Sequence, residues 1–529
     1  MPAALRLLPG GLTHKGVELC EQEPSVEQIE RELSATFTQV VMMARTSEAK
    51  FMLYEKELWA QVLTLGRLVV VLFLACRQQR QQALVPKSQP QGGRGYHRNK
   101  AQPRRLNTLF GVVRYFRTYL RSAAGGLGHY PLDAELGLTE DRMSFGVASL
   151  GARLATMMSF AKVHSVLKWF LGQAPSTEVL ESTVLGLGRH TGPWFQQALA
   201  PQGDGEVLIM EVDGKGAPTA TEQELQRRRG PRKKQPVIAS PRHRGRADRK
   251  RRGKKPRRKK GDKSKHARMA TVVVMYTLRR EIHDGKSVLV GPINRWTYAS
   301  FAPKRHAFCI ARREADKRGF TKDSGKRVQL LTDGDDDLAC YAKEYFPEAI
   351  HTVDVIHVIE YLYKAGECLY AEGSTALAEW IDEQKRLLYG GQEALIVDEL
   401  KRRLLAIPSK GPGNKGKRTR LGQAIGYLEK RLPQMNYQAL LAEDLEIATG
   451  IVEGTVKNLI GARFDFGGCR WIRERAEALL QLRCIDRNGQ WDSFIQWLHD
   501  EQAKALQTGA RIRIQKRTPA PLPTVDKAA

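Results

Sequence analysis

The sequence predicts a mixed α/β fold, a five-stranded sheet with three antiparallel and two parallel strands, preceded by a largely helical N-terminal region. Three observations predict it. The stretch from Arg327 to His357 (RVQLLTDGDDDLACYAKEYFPEAIHTVDVIH) reads as strand, acid, helix, strand, acid: apolar runs at Val328–Leu331 and Ala349–Val353 stop at Asp333-Gly334 and at Asp354. Two strands joined by a helical crossover lie parallel. Glu206–Val212 (EVLIMEV) is a third apolar run that ends the same way, at Asp213-Gly214. Finally, Ala270–Leu278 (ATVVVMYTL), a turn at His283–Lys286 and a strand near Arg295–Phe301 supply two more strands ahead of a helix over Pro303–Arg318.

The remaining elements follow in chain order. Residues 17–83 are rich in helix formers with apolar residues at three and four spacing, so a helical region is expected. Its most apolar part, Leu68–Cys76 (LVVVLFLAC), falls well under the roughly 18 residues of a membrane span and reads as a buried core helix. Residues 84–105, with Pro, Gly, Gln and basic side chains, read as a linker, and LNTLFGVVRYFRTYLR after it as a hairpin or two short strands. From Ser144 to Gln197 the pattern is helical with a break at Gly172–Ser176. That pair of helices reads either as a helix-turn-helix DNA reader or as two packed helices. A helical block spans Val358–Glu446, interrupted at Ser409–Arg418, and a last helix covers Ile451–Ala462 with Glu453 and Lys457 on one face.

Composition restricts the partners. The 529 residues suggest about three domains. A net charge of +29 and a pI near 9.9 point to a polyanion, nucleic acid rather than a membrane surface. Residues 227–268 hold 22 Lys and Arg against two acids, which is +20 of the total and leaves +9 elsewhere. Such a segment cannot bury a core and is expected to be disordered when free. It reads as a phosphate-tracking arm, in which Arg251, Arg252, Lys254, Lys255, Arg257 and Arg258 are the densest part; a solvated loop and a nuclear import tag are the plainer readings. The seven cysteines are scattered with no CxxC pair, which suggests a reducing compartment and no zinc module.

The strand and helix order is that of the RNase H fold, in which the first and fourth strands are neighbours. Asp213 and Asp333 then end adjacent strands about 4.8 Å apart, where α/β sheets collect their ligands. Asp335, Asp336 and Asp337 begin a helix and read as caps. Arg463, Arg470 and Arg473 surround Trp471, an arrangement suited to phosphate contact and base stacking, or equally to a buried Trp anchor.

VDGKGAP at 212–218, LLTDG at 330–334, DVIH at 354–357 and GIVEGTVKNLIGARF with GGCRW at 450–471 resemble the DDE transposases of bacterial insertion sequences, in particular the ISKra type related to Mutator-like transposases. The resemblance implies a catalytic and metal-binding triad of Asp213, Asp333 and Glu453, with Asp354 and His357 as an auxiliary D-x-x-H element. It implies two Mg²⁺ or Mn²⁺ ions, and DNA as partner through terminal inverted repeats and a target. No membrane partner is expected. It further implies a homodimer or larger synaptic assembly and a cytoplasmic, nucleoid-associated bacterial protein. Lys457 joins Arg463, Arg470, Trp471 and Arg473 as expected DNA contacts. Where relatives carry a cysteine pair ahead of PLD, this chain has RSAAGGLGHYPLD, so no zinc element is expected there. The domain order implied is a helical region 1–83, a linker 84–105 and a helical DNA-binding domain 106–200. A catalytic core 201–365 follows, then a helical insertion 366–446 before the last catalytic helix, core again over 447–500, and a basic tail 501–529. A structure-selective nuclease of the same fold and an inactive DNA-binding repressor are the competing readings.

Overall fold

The computed structural model describes residues 23–84, 88–91, 94–122, 128–223, 226, 267–465 and 469–524. The chain forms two units, one closing at Thr191 and taking in Gly489–Ala520, the other running Gly192–Asn488.

The second unit is built on five strands, β1 (Val207–Pro218), β2 (Ala267–His283), β3 (Lys286–Ser300), β4 (Arg327–Thr332) and β5 (Ile350–Val353). Their order across the sheet is β3-β2-β1-β4-β5. The pairs β1–β2 and β2–β3 are antiparallel, and β1–β4 and β4–β5 are parallel. The first and fourth strands are thus neighbours, as the element order suggested. Strand interiors such as Leu208, Ile209, Met210 and Val212 in β1 and Val272–Met275 in β2 are fully buried, because helices cover both faces and each strand must be apolar on both. Helix α1 (Lys304–Lys317) packs on β2 and β3. The β2–β3 hairpin runs further than the sequence suggests. It closes at Asp284 and Gly285, both at positive φ, and its arms beyond Leu278 are largely exposed, so no burial pattern marks them as strand.

Between β4 and β5 lies α2 (Asp336–Tyr345), and α3 (Val355–Leu369) follows β5. The insertion then supplies α4 (Thr375–Tyr389), α5 (Glu393–Ala406), α6 (Asn414–Arg431) and α7 (Tyr437–Ala442). Only Ser409–Gly413 of the expected flexible interruption is loop, since α6 begins at Asn414. Helix α8 starts at Gly450, continues through a π-turn at Lys457–Gly461 into Ala462–Phe464, and packs on β1 and β2; α9 (Arg473–Arg487) packs on β3.

In the first unit, helix Val26–Thr46 opens with a capping box between Ser25 and Gln28 and packs on helix Phe51–Leu84. The latter is long and apolar enough, by length and composition, to cross a bilayer. The nine-residue run at Leu68–Cys76 sits inside it because the flanking residues are also good helix formers. Leu68, Val71 and Leu74 enter a core with Ile29, Leu106, Val113, Tyr115 and Leu132, while Val69 and Phe73 face outward. The run is therefore buried on one side and presents apolar residues on the other, not buried throughout.

Residues 84–105 are not a plain linker. Arg94–Arg98 pairs with Leu120–Ser122, and Gln102–Thr108 forms a hairpin with Gly111–Arg117. Arg104 explains the polar composition: its guanidinium is buried against Asp133 at 2.8 Å and Tyr115 Oη at 3.1 Å, a use that composition alone cannot reveal. The helices expected after Ser144 form, capped by Ser144, Ser159 and Ser176. The helix Thr177–Gly188 buries Leu180 and Ser182–Leu187, while Thr177 and Glu178 at its start are exposed. Residues 508–524 were expected within a basic tail. Of these, residues 510–518 run along the first unit, with Ile514 N–H donating to Asp141 Oδ2 (2.6 Å) and Lys516 N–H to Ser182 O (2.9 Å). Gly186 makes that approach possible: a Cβ there would sit 1.6 Å from Ile514 O.

Candidate active site

The sheet register brings three of the expected acids into one row. Val212, Thr332 and Val353 lie abreast on β1, β4 and β5. The next residue on each strand is an acid, Asp213, Asp333 and Asp354. Strands spaced about 4.8 Å apart put same-level side chains on one side of the sheet. β1 keeps pairing with β2 through this level, Asp213 opposite Val272, while the chain leaves β4 and β5 at the acid itself.

Asp333 ends its strand in a turn that it caps, accepting from Asp335 N–H at 2.9 Å. The insertion holds this turn from above. Tyr427 Oη donates to Asp333 O (2.9 Å), and Arg431 Nε donates to Gly334 O (2.7 Å) with a second bond from its Nη2. Tyr361 stacks on Tyr427 with ring centroids 3.6 Å apart, and the Arg431 guanidinium lies over the Tyr427 ring. Asp335 caps α2 and pairs with Lys304, and Asp336 pairs with Lys430 and Arg431. Asp335 has the capping role expected of it, and the ion pairs of Asp335 and Asp336 come in addition.

Asp354 is fully buried and its carboxylate is fully engaged. Oδ1 accepts from Ile356 N–H (3.0 Å), and Oδ2 is bonded to His357 Nδ1 (2.9 Å) and Thr449 Oγ1 (2.6 Å). Burial works to raise its pKa, but these bonds outweigh it and hold the carboxyl below the usual range. The same bond is the main reason His357 is raised, with the charges of Asp354, Asp333 and Glu360 adding to it against burial.

Glu453 arrives on α8, whose entry is stitched to the sheet. Gln329 on β4 bonds both Glu446 N–H (3.1 Å) and Glu446 O (2.6 Å), Val355 N–H donates to Ile447 O (2.9 Å), and Thr449 reaches Asp354. Glu211, buried in β1, accepts from Val452 N–H at 2.7 Å and from Tyr276 Oη at 2.8 Å. Burial pushes the Glu211 carboxyl up to about 7 against these bonds.

Asp213 feels the whole cluster. Burial raises its pKa most, the Gly214 N–H (2.6 Å) opposes, the charges of Asp333 and Glu453 raise it further, and His357 opposes. The acids converge electrostatically without closing up, since among the described residues no three His, Cys, Asp or Glu side chains are close enough to hold a metal ion. Each has a nearer partner: Asp213 the Gly214 N–H, Asp333 the Asp335 N–H, and Glu453 the Lys457 ammonium at 3.7 Å.

The expected DNA contacts separate into two groups. Lys457 and Arg470 are exposed. Arg463 is buried over the Trp471 ring at 4.8 Å, and burial pushes its pKa down to about 10. Trp471 donates Nε1–H to Phe464 O (3.2 Å) and pairs its backbone with Pro218 and Ala220, while Arg473 Nε donates to Phe301 O (3.0 Å). All three make side-chain contacts within the unit, with Arg463 buried and Trp471 and Arg473 half-buried. Arg251, Arg252, Lys254, Lys255, Arg257 and Arg258 lie outside the described residues. Reading the sequence missed Glu211, Gln329, Tyr427, Arg431 and Thr449; the isolated Glu inside EVLIMEV was the one signal available. Compared with known proteins, the chain matches no family model and no curated protein.

Proposed function

We propose that the second unit is an RNase H-like, metal-dependent phosphoryl-transfer enzyme, and that the protein is a DDE-type DNA transposase with Asp213, Asp333 and Glu453 as its acids. The sheet order supports the fold. The observation that carries the function is the row of Asp213, Asp333 and Asp354 at one level across three adjacent strands, with Glu453 felt electrostatically at Asp213.

The donor set fits Mg²⁺ or Mn²⁺, which take hard oxygen ligands and retain water. Burial chiefly raises Asp213, and the charges of Asp333 and Glu453 raise it further; a bound dication would relieve that second part. Two such ions, when bound, neutralise the entering and leaving oxygens of an in-line phosphodiester displacement. The chain's own residues set the stage. The parallel β1–β4 pairing fixes Asp213 beside Asp333, and Thr449 and Glu211 fix the helix that carries Glu453. Asp354 serves as an auxiliary positioning group, because each of its oxygens is already bonded. His357, held through Nδ1 by Asp354, which raises its pKa, stands beside the row where its ring can meet a scissile phosphate.

Terminal repeats and target DNA are the proposed partners, with Lys457, Arg470 and the basic segment at 227–268 contacting phosphates. Two ends must be joined, so the assembly is a dimer or larger. Asp213→Asn, Asp333→Asn and Glu453→Gln each abolish cleavage of an element-end duplex while leaving its binding in place. Retained cleavage in any of them removes that residue from the triad. Joining of pre-cut ends to a target plasmid separates a transposase from a nuclease, which cuts without joining.

A further inference from the structure

A carboxylate in the middle of a buried strand is costly unless its oxygens are bonded. Glu211 is 1% exposed, yet it sits in β1 between Met210 and Val212, which are fully buried. What it bonds explains its presence. Val452 is the third residue of α8, and its N–H is one of the first-turn donors that no helical carbonyl satisfies. The N-cap Thr449 makes no side-chain cap, having turned its hydroxyl to Asp354. Glu211 supplies the missing acceptor from another element, and Tyr276, diagonally across on β2, orients it. On the strand, Glu211 and Asp213 are two residues apart and so share a face. On the helix, Val452 immediately precedes Glu453. One side chain therefore spans from the strand carrying the first acid to the turn carrying the third.

We propose that Glu211 is a positioning residue that sets the separation of Asp213 and Glu453, and so the affinity of the acid row for a divalent cation. This rests on the metal site proposed above. The brace acts without touching the metal or the substrate, as outer-shell partners of metal ligands do, and loss of such a partner typically costs about 10–100-fold in metal affinity.

The test uses the full chain and Mn²⁺ alone, with free ion followed by electron paramagnetic resonance and with hydrogen exchange of the 447–456 peptide read in parallel. Glu211→Leu keeps the volume and removes the acceptor; it weakens Mn²⁺ binding about 10–100-fold and speeds exchange at 447–456. Glu211→Gln retains an oxygen for Val452 N–H and restores binding to within about threefold of wild type, since an amide can satisfy the same two partners. Tyr276→Phe, which removes only the orienting hydroxyl, falls between them and decides the matter should Glu211→Leu not fold. Unchanged Mn²⁺ affinity in Glu211→Leu, or in Tyr276→Phe where the leucine variant is unfolded, overturns the proposal. Weakening in Glu211→Gln as large as in Glu211→Leu does so too, because it denies the brace its chemistry. An Asp213→Asn control distinguishes this from failure of the site itself: wild type and Asp213→Asn binding Mn²⁺ equally would mean that the acid row holds no metal, and the inference would fall with it.

Discussion

Gly334→Ala tests whether the helical insertion fixes the turn that carries Asp333. Gly334 has φ +79°, and a Cβ there meets Arg431 Nε at 2.5 Å and Tyr427 Oη at 2.7 Å. Two costs add. Left-handed backbone costs a residue with a Cβ about 1–2 kcal/mol. Displacing Arg431 from Gly334 O breaks a buried bond from a charged donor, about 1.5–3 kcal/mol. The sum, about 2.5–5 kcal/mol, lowers the melting temperature of a unit of this size by roughly 4–8 °C. Differential scanning calorimetry measures it, and cleavage of an element-end duplex is expected to fall with it because Asp333 loses its support. Gly426→Ala, one residue before Tyr427 on α6 with open space at its Cβ, is the matched control; it is expected to gain up to about 1 kcal/mol. Gly334→Ala melting within about 2 °C of wild type, with cleavage intact, would show that Tyr427 and Arg431 merely lie beside the turn.

Other perturbations read other parts of the structure. Asp354→Asn leaves one oxygen for the donors of Ile356, His357 and Thr449, costs about 1–3 kcal/mol, and lowers the His357 pKa because the carboxylate that raises it is gone, as an imidazole NMR titration would record. Millimolar Mg²⁺ or Mn²⁺ raises the melting temperature of wild type and not of Asp213→Asn; equal shifts would mean binding elsewhere. Removing residues 229–265 weakens nonspecific DNA affinity and flattens its dependence on salt, measured by anisotropy from low to high salt, since fewer counterions are released. His306 and His351 are pushed down to about 4, by burial in both and by Arg313 as well at His306. The unfolded rings take up protons near pH 6.5 and the folded ones near 4, so stability is lost as pH falls through that window, and His351→Gln makes the loss shallower.

The part of the site made by local sequence could be read in advance. The buried stretches Val207–Val212 of β1 and Val328–Thr332 of β4 are mostly apolar and each leads directly into an acid, as does the short buried end Thr352–Val353 of β5. Order along the chain then placed β1 beside β4. What could not be read depends on partners far away. Glu211 looks like a stray acid in EVLIMEV because the N–H it satisfies, at Val452, is 241 residues on. Tyr427 and Arg431 sit in an unremarkable helical pattern until the fold brings them to Gly334. Arg463 and Trp471 have the composition of a nucleic-acid contact, and only packing shows the guanidinium turned onto the indole inside the unit. Residues 84–105 were misread because Arg104 and its neighbours have the polarity of a linker, while their buried partner Asp133 comes later.

The run of residues 510–518 along the first unit has a consequence for how the protein is made. The polypeptide leaves the ribosome N-terminus first, so Gly192–Asn488, with every residue of the acid row, is synthesised while Asp141 and Ser182 still await Ile514 and Lys516. The first unit is therefore completed only after the acid row has been made, and a nascent or prematurely terminated product would hold that row with its first unit unfinished.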